Sequence, residues 1–235
     1  VQEFIKKNHT HLSIGISIDG DKALHDSCRV FHDGSGSYDI VAKSAKHLLQ
    51  MYPIAGTKVT LAPENLPYLT GAIQHLYSLG YRNIPANCVF EDVWQEHHPK
   101  QLYAQLIELA DWMIDNDIYK DLYPSLFEER FVQLPSREEY ERQKTTAFCG
   151  GNGRMVAFGP DGKVYPCLRY MKHSLSNQPE RPIGELSLEL YTDKEHTEWF
   201  QRLQDVTTWS SADGECRDCP LLPLCPTCIA WQYDA

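Results

Sequence analysis

The sequence has no apolar run approaching the roughly 18 residues that a membrane-spanning helix needs, so no helical span is expected. It has no excess of positive charge: 22 Lys and Arg stand against 32 Asp and Glu, a formal net charge of −10. With no basic stripe to neutralise phosphates, neither duplex nucleic acid nor an anionic membrane is an expected partner. The opening Val-Gln-Glu-Phe-Ile-Lys-Lys-Asn is too charged for a secretory leader and carries no Met. The chain is therefore expected to be cytoplasmic and to begin part-way through a fold. None of the ten histidines pairs at H-x3-H spacing, and neither internal repeats nor low-complexity tracts are present. Hydrophobic residues at 42% and charged residues at 23% match ordinary globular usage, which excludes wholesale disorder and fibrous architecture.

Cysteine is what stands out. There are eight, at 28, 88, 149, 167, 216, 219, 225 and 228, and the last four fall within thirteen positions. A secreted disulfide framework belongs in a much shorter chain, so bunched C-x2-C pairs point to thiolate metal ligands. Cys28 and Cys88 stand alone and read as small buried residues.

The first half reads as alternating strands and helices. His11–Ile18 alternates branched apolar with small polar residues and stops at Asp19-Gly20, as a buried strand does. Ile40–Met51 has helical spacing, Thr57–Leu61 is a second strand, and Glu64–Leu79 a helix ended by Gly80. Asn83–Phe90 is a third strand and Leu102–Asn116 an amphipathic helix. This order is that of a parallel sheet of βαβ units, with working residues at the C-terminal ends of strands. Only three strands are visible, so the sheet reads as incomplete on its N-terminal side. Residues 128–146 are polar and read as a connector or a solvated helix. Beyond them Met155–Phe158 and Lys163–Tyr165 flank Gly-Pro-Asp-Gly as a β-hairpin. Glu185–Tyr191 and His196–Leu203 read as short helical stretches.

Two cysteine spacings matter: Cys149-x12-Gly162-x4-Cys167 and Cys216-x2-Cys219-x5-Cys225-x2-Cys228. A C-x2-C loop curls round a metal and offers its N–H groups to the thiolates. One structural zinc on the last four cysteines is the simplest reading. Zinc ribbons, however, usually separate such pairs by about 15–20 residues, and here five residues with two prolines do so. Iron–sulfur clusters take close cysteines plus a remote one, so spacing alone leaves zinc and iron–sulfur open.

The pattern C-x(9–15)-G-x4-C, a gap, then C-x2-C-x5-C resembles the SPASM domain of radical S-adenosylmethionine enzymes that modify peptides and proteins. Cys149, Gly162, Cys167, Cys216, Cys219 and Cys225 match it. Cys228 comes one residue early, and no final Cys follows before Ala235. Ser17-Ile18-Asp19-Gly20, His25-Asp26, Arg29 and Asp33-Gly34-Ser35-Gly36-Ser37 resemble the S-[ILM]-D-G-x(4)-H-x(3)-R-x(3)-DGSGS stretch of the same enzymes. The resemblance implies an α/β fold: the C-terminal half of a partial (β/α)6 barrel over 1–127, a connector over 128–146, and a truncated Cys-rich α+β SPASM domain over 147–235.

It also implies cofactors and sites. Cys149, Cys167 and Cys228 would serve a first auxiliary 4Fe–4S cluster, and Cys216, Cys219 and Cys225 a second. The first has three obvious ligands, which leaves either an open iron for a substrate thiolate or a further ligand elsewhere. Ser17 would approach the amino-acid end of S-adenosylmethionine, Val89 would pack on its adenine, and Arg29 would pair with its carboxylate. Asp19 either touches ligand or caps the following loop. The C-x3-C-x2-C triad that holds the cofactor-reducing cluster is absent, so these 235 residues alone are expected to be inactive. A third 4Fe–4S cluster with S-adenosylmethionine belongs to the full-length protein.

The stretches around 8–20, 62–69 and 84–94 look most like maturases that form thioether links in Cys-repeat ribosomal peptides. The implied partners are a Cys-containing peptide and an electron donor such as flavodoxin or ferredoxin. Anaerobic sulfatase maturases are the alternative, but they place an Asp base directly after the second hairpin Cys, where this chain has Leu168. A zinc-stapled peptide-binding module without catalysis is the non-enzymatic reading.

Overall fold

Apolar residues gather in two separate units of the chain, 1–128 and 129–235. The computed structural model describes residues 2–128, 136–143, 149–172, 179–186, 197–210, 212–225 and 228–230.

The first unit runs α1 (Gln2–Asn8), α2 (Lys22–Cys28), α3 (Tyr38–Met51), β1 (Val59–Leu61), α4 (Leu69–Ser78), β2 (Asn83–Ile84), β3 (Ala86–Cys88), α5 (His98–Asp115) and β4 (Tyr123–Pro124). All its strand pairs are parallel: β1 with β3 at Val59↔Ala86 and Leu61↔Cys88, and β2 with β4 at Asn83↔Tyr123. Parallel neighbours joined through helices are what βαβ units produce. Leu69, Ile73 and Leu76, at helical spacing on α4, are buried in one cluster with Ile18, Val59, Leu61, Leu109 and Met113. Each such side chain contributes roughly 1.5–3 kcal/mol by leaving water. The other side of the extended segments is polar and open, with Ser13, Ser17 and Asn87 exposed.

Gly80 ends α4 as its position suggests. At φ +109° it lets its own N–H reach the Tyr77 carbonyl (2.9 Å) and that of Tyr81 reach Leu76 (3.2 Å). These two bonds satisfy helix-end carbonyls in a Schellman arrangement.

Three expected strands are shorter than read. His11–Ile18 is extended but forms one parallel bridge, Gly15 to Gly56. The Thr57 hydroxyl takes over from a backbone partner, meeting both the N–H (3.2 Å) and the carbonyl (3.3 Å) of Ile18. Thr57–Leu61 accordingly pairs regularly only from Val59. Asn83–Phe90 divides at Pro85, which has no N–H to donate, into β2 and β3 with different partners. Among the described residues, these strands make two two-stranded sheets rather than one curved sheet. Glu64–Leu79 begins later as a helix, because the Asn65 side chain holds the Ala62 N–H (2.8 Å) and the Thr60 carbonyl (2.7 Å) in a turn first.

The second unit contains α6 (Arg137–Gln143), β5 (Ala157–Phe158), β6 (Lys163–Tyr165), β7 (Gly184–Glu185), α7 (Thr197–Gln204) and α8 (Gly214–Arg217). The hairpin is as read, β5 against β6 antiparallel, with β7 added on the other side of β6. Its turn is closed by Gly159 N–H to the Lys163 carbonyl (2.8 Å) and Gly162 N–H to the Gly159 carbonyl (3.0 Å), with Gly162 at φ +87°. This is a three-residue loop ending in a left-handed glycine. Glu185 lies in a strand instead of the expected helix, and residues 187–191 of that stretch lie outside the described residues. One buried cluster holds Tyr165, Tyr170, Leu203, Ile229 and Ala230, with Cys167 and Cys228 packed against it.

Candidate functional sites

Two places carry the sequence-predicted residues, one in each unit. In the first, the turn Ser17–Gly20 follows the extended segment, and Val89 follows β3. Both sit at carboxyl ends of parallel segments. Ser17 is exposed, and Val89 is half-buried, its N–H on the Leu61 carbonyl (2.9 Å) and its carbonyl accepting from Trp94 Nε1 (2.9 Å).

Asp19 is 6% exposed, and its carboxylate takes the Arg29 fork through Nε and Nη2, the latter at 3.3 Å from Oδ1. Arg29 was expected to meet a ligand carboxylate; within the fold its Nε edge belongs to Asp19. Asp19 does not cap the loop. Asp21 does that, accepting from the Leu24 N–H at 2.9 Å to start α2.

His25, which the sequence offers only as part of a motif, is fully buried beneath this pair. Its Nδ1 accepts the Asp19 N–H (3.4 Å), so Nε2 carries the proton and faces Ser37 Oγ at 3.0 Å. Ser37 passes its own proton to the Arg29 carbonyl (2.8 Å). Ser, His and Asp thus stand in line, but not as a nucleophilic triad. The hydroxyl proton is held by a carbonyl, Nδ1 has no hydrogen for Asp19, and the ring cannot meet substrate. Burial pushes the His25 pKa below its ordinary value, against the pull of Asp19.

The glycine- and serine-rich stretch has local causes. Asp33 Oδ1 accepts from the N–H (2.9 Å) and hydroxyl (2.6 Å) of Ser35, which holds its carboxyl below the usual range. Gly34 turns the chain at φ +84°. A Cβ on Gly36 would lie 2.1 Å from Asp26 Oδ2, so only glycine lets Asp26 reach the Tyr38 N–H (2.8 Å). These residues build a rigid loop rather than line a ligand.

In the second unit all the cysteines are free thiols, as are the exposed Cys28 and Cys88 of the first. Those two are therefore not the buried residues expected. Cys149 and Cys167 flank the hairpin, and both sulfurs approach Gly151, at 3.4 and 3.8 Å from where its Cβ would be. Glycine leaves that space open. The Cys149 sulfur accepts the Gly151 N–H (3.4 Å). The Cys167 thiol is pushed up by burial first and by Cys228 and Cys149 next, while the Arg169 and Tyr170 amides draw it down. Cys228 therefore neighbours this pair.

The remaining three form a second neighbourhood. Cys219 N–H bonds the Cys216 carbonyl (3.1 Å), Leu222 the Cys219 carbonyl (3.1 Å), and Cys225 the Leu222 carbonyl (3.1 Å). Three successive tight turns carry the chain round so that Cys225 and Cys219 both act on Cys216, whose thiol is raised mainly by Asp213. Burial, then Cys219, raises Cys225. Among the described residues, no three His, Cys, Asp or Glu side chains converge tightly enough for a single metal ion. A four-iron cluster asks less convergence, since each thiolate meets its own iron. Soft thiolates with N–H groups turned toward sulfur suit such a cluster.

No protein-family description and no curated protein matches the chain. Solved structures do. His-tagged anSMEcpe, an anaerobic sulfatase-maturating enzyme, with bound AdoMet aligns with a TM-score of 0.62 at 17% identity, over 96% of this chain and 57% of that one. The chain shares its fold with this AdoMet-binding structure. Native anSMEcpe with AdoMet gives a TM-score of 0.61 at 16% identity over 96% of this chain and 61% of that one. Its complex with AdoMet and the Kp18Cys peptide gives 0.58 at 16% identity over 96% and 62%. The chain thus spans about three-fifths of the length of the structures whose fold it shares.

Proposed function

We propose that the chain is part of a radical S-adenosylmethionine peptide maturase, a SPASM enzyme that forms thioether or related Cys-linked bonds in a ribosomally made peptide. The observation that supports this is the approach of the Cys149 and Cys167 sulfurs to the open space at Gly151, with Cys228 packed against the same buried cluster as Cys167. Cys228 packs with Cys167 against one buried cluster, which favours the first triplet over a single zinc on the last four cysteines. Each triplet would hold one auxiliary 4Fe–4S cluster.

Residues of this chain would hold the amino-acid and adenine ends of S-adenosylmethionine, which together with a cluster of its own would supply radical chemistry for hydrogen-atom abstraction. The residues of this chain have binding roles. Ser17 offers a hydroxyl at the mouth of the polar face, and Val89 an apolar surface at the next segment's end. Arg29, paired with Asp19 through Nε and Nη2, has a side chain 41% exposed and would donate to a ligand carboxylate. Cys149 and Cys167 flank the hairpin, and a cluster held by their triplet would have an iron left open to a substrate thiolate.

The neighbours are anaerobic sulfatase-maturating enzymes, two of them solved with a bound peptide, Kp18Cys or Cp18Cys, which favours a second reading: oxidation of a substrate Cys to formylglycine. Against it, Leu168 stands exposed after Cys167, with no carboxylate there to take the substrate proton. The test is mass spectrometry of a Cys-containing peptide incubated with the reduced, reconstituted protein and S-adenosylmethionine. A thioether product loses two hydrogen atoms and its alkylatable thiol. Formylglycine instead exchanges sulfur for an aldehyde oxygen, and that outcome would replace this reading.

A further inference from the structure

The buried ring of His25 is the joint between two loops. On one side its Nδ1 accepts the Asp19 N–H, 3.4 Å away. On the other its Nε2 hydrogen meets Ser37 Oγ at 3.0 Å, and that hydroxyl continues to the Arg29 carbonyl at 2.8 Å. Asp19 and Arg29 are themselves joined side chain to side chain. The circuit Asp19–His25–Ser37–Arg29 therefore closes on itself.

Ser17–Gly20 is held from its other sides as well. Thr57 Oγ1 grips both backbone groups of Ile18, at 3.2 and 3.3 Å. Gly20 lies so close to α2 and α4 that an added Cβ would come within 2.7 Å of Leu24 and 3.1 Å of Ala72. The turn is thus fixed at Ile18, Asp19 and Gly20, while the Ser17 side chain stays exposed. A fully buried position needing only volume would be filled by Leu. Here Nδ1 accepts a backbone N–H and Nε2 meets a side-chain hydroxyl, and a Leu would leave that N–H without its partner.

We propose that His25 is a positioning residue of the cofactor site. Its neutral ring sets the Asp19–Arg29 pair and the Ser17–Gly20 turn in the shape that receives the amino-acid end of S-adenosylmethionine. The inference rests on the functional reading above. His25 touches no ligand; it acts through Asp19, Arg29 and Ser37, as groups behind a first layer of contacts do.

The experiment compares His25→Leu, which keeps volume and removes both polar contacts, with His25→Asn, whose amide oxygen can take the Asp19 N–H. Two quantities are read in the intact, anaerobically reconstituted protein: the dissociation constant for S-adenosylmethionine, and hydrogen exchange at Asp19 and across 29–37. His25→Leu is expected to weaken S-adenosylmethionine binding on the order of tenfold and to speed Asp19 exchange, with His25→Asn recovering most of both. Faster exchange in His25→Leu with unchanged affinity overturns the proposal alone, leaving His25 a structural residue. Equal behaviour of Leu and Asn variants does the same. If the unaltered protein binds no S-adenosylmethionine, the functional reading falls, and the positioning role falls with it.

Discussion

The two units achieve order by different means. The first closes a continuous apolar cluster from Ile18 and Val59 through Leu69, Ile73 and Leu76 to Leu109, and knits its loops with hydrogen bonds among Asp19, His25, Arg29 and Ser37. The described part of the second has strands of two or three residues and helices of eight or fewer, round a small cluster of Tyr165, Tyr170, Leu203, Ile229 and Ala230. Elements that short bury too little apolar surface to offset the entropy of ordering the chain. Six thiols in two groups are the obvious supplement, because metal–thiolate bonds absent from the unfolded chain add directly to folding. The contrast teaches that one unit is folded by its side chains, while the described part of the other has a small core that bound clusters, as proposed above, would supplement.

That contrast breaks most visibly on removal of metal. Chelation under reducing conditions should cost the second unit on the order of 10 kcal/mol, the scale of thiolate sites. Limited proteolysis should then cut beyond residue 128 while the first unit stays protected; equal loss of both would erase the distinction. Next in size, Ile73→Ala on the fully buried face of α4 should cost about 2–5 kcal/mol in denaturant midpoint experiments. Bound iron should be unchanged, and a parallel fall in iron would show the units to depend on one another. Gly80→Ala, which forces a Cβ into a left-handed position at φ +109°, should cost about 1 kcal/mol and shift only the first unit's transition.

The smallest effect is a pH dependence. Burial lowers the His25 pKa in the fold, so the neutral ring is the folded form. The group's contribution is complete above the ordinary value of about 6.5 and diminishes as pH falls from there toward the folded pKa. Its charged surroundings are Asp19, Arg29 and Asp26, with the Tyr38 ring edge-on at 5.8 Å. Urea unfolding at pH 7.5 and 5.5 should show the acid-side loss in the unaltered protein and a flatter profile in His25→Asn.

Much of this was legible in the residues, and what was not has definite causes. Helical spacing in Ile40–Met51 and the Gly-Pro-Asp-Gly turn are local signals, and α3 and the β5–β6 hairpin follow them. Strand extents depend on partners that a single segment does not reveal. The Thr57 hydroxyl standing in for backbone shortened one strand, and Pro85 sent the halves of another to β1 and β4. The helix α2 lay hidden because seven residues are too few for a period, although Asp21 ahead of Leu24 is a cap signal that could have marked it. Cysteine spacing pointed to thiolate chemistry, yet the packing of Cys228 and Cys167 against one buried cluster is visible only in three dimensions. The role of His25 was beyond sequence for the same reason: its partners Asp19 and Ser37 lie six and twelve residues away on either side.

The most direct measurement is iron and acid-labile sulfide content with electron paramagnetic resonance, after anaerobic reconstitution of three proteins. These are the unaltered chain, the double variant Cys149→Ala/Cys167→Ala, and the double variant Cys216→Ala/Cys219→Ala. Two distinct cluster signals in the first, with a different one lost in each variant, is the expected result. A colourless protein holding one zinc, or the same signal abolished by both pairs of substitutions, would contradict it.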